Sequence, residues 1–167
     1  VKTIVTSCPH CFSTLKNEYP QFGGEFEVVH HTELISEWIR SGKLNPNHRV
    51  GKKATYHDPC YLGRYNEVYQ APRTILSSIP MLKFVELKRS GRNSFCCGGG
   101  GGHLWLGENI GKKTNVMRTD EVIEAQVDLV VTACPFCLQM LEEGIKRKHL
   151  QGSIEAMDII ELLQKAI

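Results

Sequence analysis

The chain has 167 residues, 41% of them hydrophobic and 23% charged, which suits one ordinary globular unit able to bury roughly 70% of its unfolded surface without disulfides. A formal charge of +2, with Lys and Arg scattered among acids, is too mild and too dispersed for a nucleic-acid footprint, so no nucleic-acid partner is expected. Nothing approaches eighteen consecutive apolar residues, and Val1 to Ser7 lead into a cysteine motif without a signal-peptide pattern.

Lys2 to Thr6 form a β-branched run, and Cys8-Pro9-His10-Cys11 opens a segment with apolar Phe12, Leu15 and Tyr19. This reads as strand, ligand-bearing turn and helix, with Pro9 at the first helical position, where its missing N–H costs little. Phe26 to His30 alternates as a strand, and Thr32 is expected to cap a helix that carries Leu34, Ile35, Trp38 and Ile39 and stops at Gly42. Residues 44–53 are a polar connection and an expected boundary between two units. Ala54 to His57 then reads as a strand ending in Asp58-Pro59-Cys60, with a helical stretch expected from Tyr61 to Val68. A further helix is expected to about Ser78, followed by an alternating strand from Leu82 to Leu87. Beyond a glycine-rich loop, Asn115 to Gln126 is amphipathic, Leu129 to Thr132 is a strand, and Pro135 to Lys148 is a helix behind Cys134 and Cys137. Ser153 to Ile167 supplies a short strand and a last helix.

The loop itself is unusual. Cys96 and Cys97 are adjacent and run into five glycines, Gly98 to Gly102. Five glycines lose much entropy on ordering and bury no side chain, so they mark a linker or a place where backbone passes close to something bulky. With vicinal thiols beside them, they suggest sulfurs and exposed N–H groups closing around an inorganic centre. The competing reading is a flexible tether with two incidental thiols.

Seven cysteines occur as two Cys-x-x-Cys pairs, one vicinal pair and one singleton. An odd count with two-residue spacing favours thiolate ligands in a reducing, cytoplasmic compartment over structural disulfides. Residues 1–11 align with residues 127–137 at an offset of 126, and Glu33-Leu34-Ile35 answers Glu161-Leu162-Leu163 at an offset of 128. This is an internal repeat. The second copy is complete, and the first has only its closing third. The chain is therefore expected to be a fragment of a longer protein: residues 1–45 close a first repeat and 46–167 form a complete second one. The expected fold class is α/β, two pseudo-repeated βα units with short, mostly parallel sheets flanked by helices and cysteines at strand ends.

Thirty-five residues separate Cys60 from Cys96, and thirty-six separate Cys97 from Cys134. Each cysteine follows a strand and precedes a helix or loop, so Cys60, Cys96, Cys97, Cys134 and Cys137 can converge at one sheet edge, where helix N-termini favour anionic thiolates. Five thiols are one more than tetrahedral zinc requires, whereas an iron–sulfur cluster can use the surplus. Backbone at Gly98, Gly99 and Gly100 could approach such a cluster and donate N–H groups to its sulfurs. The glycine run lacks the endings of a phosphate loop or a dinucleotide fingerprint. Cys8 and Cys11 alone could be a thioredoxin-type pair, but their duplicate at Cys134 and Cys137 favours shared ligand duty. His10, His57 and His103 stand beside ligand cysteines as donors, proton carriers or structural hydrogen-bonding groups. Trp38 and Trp105 read as core or interface aromatics.

At Cys60, Cys96-Cys97-Gly98 and Cys134-Pro135-Phe136-Cys137 the sequence resembles the cysteine-rich CCG domain of heterodisulfide reductase B/D-type subunits and the iron–sulfur subunits of glycolate, lactate and glycerol-3-phosphate oxidising complexes. The resemblance implies a non-cubane [4Fe-4S] cluster held by those five cysteines, with zinc as an alternative occupant known in the family. Cys8 and Cys11 match the end of a first motif whose other ligands are not in this sequence. Implied as well are an electron-transfer oxidoreductase subunit, other iron–sulfur or flavoprotein subunits as partners, a quinone or disulfide as substrate, and a cytoplasmic place peripheral to the inner face of a membrane. The alternative is a zinc-stabilised structural module docking a dehydrogenase complex. Thiol–disulfide exchange through the Cys-x-x-Cys pairs is a third reading.

Overall fold

The computed structural model describes residues 1–106 and 111–167. Two parallel sheets form. The first pairs β1 (Thr3–Thr6) with β2 (Glu27–His30), joined through helix α1 (Pro9–Asn17) and a 3₁₀ turn at Tyr19–Phe22, and β2 runs directly into α2 (His31–Arg40). The second sheet has four strands in the order β4-β3-β5-β6, built from β3 (Lys53–His57), β4 (Lys83–Val85), β5 (Leu129–Thr132) and β6 (Glu155–Asp158). Helix α3 (Gln70–Ser78) links β3 to β4. The short α4 (His103–Leu106) and α5 (Thr114–Glu124) precede β5, α6 (Pro135–Arg147) follows it, and α7 (Ile159–Gln164) follows β6. The α/β class with short parallel sheets and flanking helices is as expected.

All four residues of β5 are buried, the pattern of a parallel strand covered on both faces. Leu129 and Val131 join Tyr56, Leu62, Ile75, Leu76, Ile159 and Leu162 on one side. Val130 points the other way, into Leu87, Val122, Leu141 and Ile145 of the layer made by α5 and α6. Each fully buried aliphatic side chain contributes roughly 1.5–3 kcal/mol, so this central strand is where the sheet is anchored. Phe12 and Val28 of the first sheet belong to the same cluster as Tyr56 and Leu162, so the two sheets share one core across the polar connection.

The two segments that align in sequence also match in register. Thr6 opposes His30 in the first sheet as Thr132 opposes Asp158 in the second. Both strand ends then cap a helix reciprocally. Thr32 N–H donates to His30 Nδ1 (3.5 Å) while His30 N–H donates to Glu33 (3.2 Å). Ile160 N–H donates to Asp158 (2.9 Å) while Asp158 N–H donates to Glu161 (3.0 Å).

Three local expectations are corrected. The cap of α2 is His30, not Thr32, because the helix already begins at His31 and the His30 ring nitrogen accepts from the Thr32 N–H in its first turn. Residues 60–66 form consecutive turns, 67–69 are irregular, and no helix forms over 61–68. Glu67 takes φ +58°, and a Cβ at Gly63 would lie 2.6 Å from Tyr69 Cε1, so the segment folds back on Tyr69 while burying Leu62. The strand expected over 82–87 is confined to Lys83–Val85, at the edge of its sheet. Of the core and interface readings of the two tryptophans, exposure excludes only the core: Trp105 is 75% exposed and Trp38 is also on the surface. Among the described residues, no helix is long and apolar enough to cross a membrane.

Candidate metal centre

Parallel strands β3 and β5 are neighbours and end level, His57 against Thr132, so the segments that follow them leave the same edge of the sheet. After β3 comes Asp58-Pro59-Cys60, and after β5 comes Ala133-Cys134. Cys134 is the N-cap of α6 and makes no side-chain cap hydrogen bond, with Pro135 in the first turn; Cys8 holds the same position before α1 with Pro9. Proline removes one unpaired N–H, and the helix N-terminus leaves a positive partial charge beside the sulfur.

The expected convergence occurs. The thiols lie close enough to perturb one another's ionisation in turn, from Cys60 to Cys96, Cys97, Cys137 and Cys134. Cys97, Cys134 and Cys137 are buried with Met140, and Leu104 and Phe136 pack against them. All seven cysteines are free thiols. Hydrogen bonds from Cys60 and Cys97 bring Cys96 down to about 2, and those from Cys137 and His10 bring Cys134 down to about 5 against the opposing effect of burial. Their neighbours move oppositely. Cys60 is raised by sharing its proton with Cys96 and by burial, and Cys137 by Cys134, Cys97 and burial. At Cys97 the pull of Cys137 is outweighed by Cys96 and burial, which push it up to about 12. Five thiols this close cannot all ionise without a compensating cation. That is the chemistry of a metal or cluster ligand set.

The glycine loop meets the sulfurs with backbone. Gly98 N–H donates to Cys96 Sγ at 3.3 Å, and the Gly99 backbone favours the thiolate form of Cys97. Gly98 has φ +88°, and a Cβ there would stand 2.8 Å from Thr114 Cβ. At Gly99 a Cβ would stand 3.1 Å from Met140 Cγ, whereas a Cβ at Gly100 would meet nothing within 4 Å among the described residues. The loop is therefore closely fitted at its first two glycines.

Of the sequence-selected histidines, two join the site. His57, fully buried at the end of β3, places a ring nitrogen so that it and the sulfurs of Cys97 and Cys137 lie within 4.8 Å of one another. Burial, then the charge of Arg118, lower its pKa to about 3. His10 lies between the two Cys-x-x-Cys pairs: hydrogen bonds to Cys134 and then Cys8 raise it to about 9. Burial opposes a lowered Cys8, but His10 and Cys11 outweigh it. Cys11 is exposed, and His103 is exposed at the start of α4. His10 also continues a row of rings across the site: Trp105 to Phe136 (6.0 Å between centroids), Phe136 to His10 (5.0 Å), His10 to Tyr61 (4.3 Å) and Tyr61 to Tyr65 (4.6 Å).

Two arginines escaped the sequence reading. Arg73 of α3 holds Asp58, two residues before Cys60. Arg118 of α5 is fully buried against His57. A sequence signal for Arg118 existed, since it occupies the buried stripe with Asn115, Thr119 and Val122, where an amphipathic helix ordinarily carries apolar residues. A cavity of about 430 Å³ lined by Lys52, Asp128, Glu142 and Glu155 lies at the other ends of the strands, away from the sulfurs.

Comparison with known proteins agrees with this geometry. The family model described as "Cysteine-rich domain", CCG, matches residues 54–142. The whole chain is 46% identical over 167 residues to a Bacillus subtilis (strain 168) protein named "Probable iron-sulfur-binding oxidoreductase FadF", covering 24% of it. It is 41% identical over 174 residues to the "EtfAB:quinone oxidoreductase" of Syntrophomonas wolfei, again 24% of that protein. Over 99% of its length it is 37% identical to a Methanosarcina barkeri protein named as part of the dihydromethanophenazine:CoB–CoM heterodisulfide reductase, covering 41% of that protein. The chain thus spans between about a quarter and two-fifths of these relatives.

Proposed function

Because the chain belongs to the cysteine-rich CCG domain family, we propose that it is the iron–sulfur electron-transfer module of an oxidoreductase subunit, its centre held by Cys60, Cys96, Cys97, Cys134 and Cys137. The observation that carries this reading is the grouping of Cys97, Cys134 and Cys137 in one buried cluster, with Cys60 and Cys96 perturbing their ionisation and each other's, Gly98 N–H aimed at Cys96, and a cationic centre needed to balance their charge. The proposed group is a [4Fe-4S] cluster of non-cubane form, which five thiolates suit better than four. When bound, such a cluster supplies one-electron redox chemistry, its potential set by hydrogen bonds to sulfur and by solvent exposure.

The chain's own residues do the positioning. Cys134 and Cys137 are presented by the first turn of α6, and Cys60 follows a loop fixed by Asp58 and Arg73. Burial of Cys97, Cys134 and Cys137 excludes water, and the half-exposed Cys60 and Cys96 leave one side open to an incoming group. Residues 1–45 are proposed to be the closing third of a first repeat and 46–167 a complete second one, supported by the matching registers and capping boxes. Cys8 and Cys11 would then serve a second centre together with residues outside this sequence. The proposed partners are iron–sulfur or flavoprotein subunits, with a quinone or disulfide as acceptor, and the proposed location is cytoplasmic, peripheral to the inner membrane face. These partners match words in the names of the relatives.

Zinc has one observation on its side, the compact trio of His57, Cys97 and Cys137. The trio uses only three of the six groups and leaves Cys60 and Cys96 unexplained. Anaerobic purification with iron, sulfide and zinc analysis and an EPR spectrum separates the readings. About four irons and four sulfides, with a signal lost in Cys96→Ser, is the expected result. One zinc and no iron after reconstitution would overturn it in favour of the structural module.

A further inference from the structure

Arg118 is the largest fully buried side chain among the described residues. Its Nε–H donates to His57 Nδ1 at 3.0 Å, Nη1 donates to the Arg89 carbonyl at 3.0 Å and to Glu121, and Nη2 donates to Ser94 Oγ at 3.4 Å. Ser94 Oγ in turn donates to the Asp58 carbonyl at 3.3 Å. One guanidinium therefore ties together the end of β3, the segment leading to Cys60 and the segment leading to Cys96. A structural tie would account for the contacts to Arg89 and Ser94. The contact to His57 does more.

A guanidinium has donors and no acceptor. His57 Nδ1 must therefore present its lone pair to Arg118, which excludes the doubly protonated ring as well as the Nδ1–H tautomer. The single proton then sits on Nε2. The sulfurs of Cys97 and Cys137 lie, with one His57 ring nitrogen, within 4.8 Å of one another, and are acceptors beside the imidazole.

We propose that Arg118 is a positioning residue for the metal centre: by holding Nδ1 it fixes His57 as the Nε2–H tautomer, so that the imidazole donates to the sulfurs of Cys97 and Cys137 and is not itself a metal ligand. This rests on the reading that those sulfurs carry an iron–sulfur centre. An N–H donor to a ligand sulfur favours the more negative, reduced state and raises the potential. The pairing parallels the way a ligating histidine is oriented through its other nitrogen, with the histidine here one step further from the metal.

The test begins with long-range ¹H–¹⁵N spectra of the anaerobically purified protein carrying ¹⁵N-labelled histidine, before and after metal removal. His57 Nδ1 is expected at a pyridine-type shift and Nε2 at a pyrrole-type shift in both. A protonated Nδ1 would overturn the proposal whether or not iron is bound, so its failure is distinct from failure of the iron–sulfur reading, which shows as absence of iron. In the loaded protein, His57→Leu should move the potential negative by about tenfold in the one-electron equilibrium, about 59 mV. His57→Gln, which keeps a side-chain N–H, should recover most of that shift, and Arg118→Met should follow His57→Leu. An unchanged potential in His57→Leu counts against the donor role. If Arg118→Met does not fold, the native nitrogen shifts and the two His57 variants decide.

Discussion

Arg73 grips both carboxylate oxygens of Asp58, at 2.8 and 3.0 Å, and Gly91 N–H completes the cage at 2.8 Å. The carboxylate is nearly inaccessible and the guanidinium largely so. Arg73→Met would leave a buried carboxylate without its cation, which costs about 3–5 kcal/mol. Because Asp58 sits two residues before Cys60, iron content should fall together with the urea midpoint. A loss of stability below about 0.5 kcal/mol, the range of an ordinary surface substitution, would show that the pair is dispensable.

Gly98 and Gly100 should respond oppositely to alanine. At Gly98 the left-handed backbone and the approach of Thr114 Cβ make a methyl group strained, at about 1–3 kcal/mol, and Gly98→Ala should displace the N–H from Cys96. A Cβ on Gly100 would meet nothing within 4 Å among the described residues, so Gly100→Ala should leave stability and metal content unchanged. Equal losses in both variants would mean that loop flexibility, and not close fit, is what matters.

The buried pair His30 and His31, with rings 4.3 Å apart, should make the fold acid-sensitive. Burial and the neighbouring His31 ring lower His30 to about 3, and burial lowers His31 to about 4, from an ordinary value of 6.5. Unfolded histidines take up protons below 6.5 while the folded ones stay neutral. The stabilisation is therefore complete above pH 6.5 and is lost as pH falls toward 4, by about 1 kcal/mol per pH unit for each ring. Urea midpoints between pH 7.5 and 5 measure the slope, and His31→Gln should flatten it.

Gly144 lets α6 lie against α5. A Cβ there would fall on Thr119 Oγ1 and lie 3.0 Å from the Asn115 carbonyl. Gly144→Ala should cost about 1–3 kcal/mol through overpacking, despite alanine's better helix propensity. A more stable Gly144→Ala protein in thermal melts would show that the interface can open without cost.

Much of this protein was legible in its sequence because the signals are local. The βα repeat, the prolines after Cys8 and Cys134, and the singleton, pair and closing motif are short-range patterns, and strand ends in a parallel sheet necessarily deliver their following residues to one edge. That determined the α/β class, the ends of most elements and the meeting of five cysteines. Tertiary structure decided what no period or spacing encodes. It turned residues 61–68 away from helix, because Gly63 must pass under Tyr69, and gave the cap of α2 to His30. It brought Arg118 across 61 positions to His57 and Arg73 across 15 to Asp58. A buried charge is tolerated only where partners from distant segments converge on it, and that convergence exists only once the chain is folded.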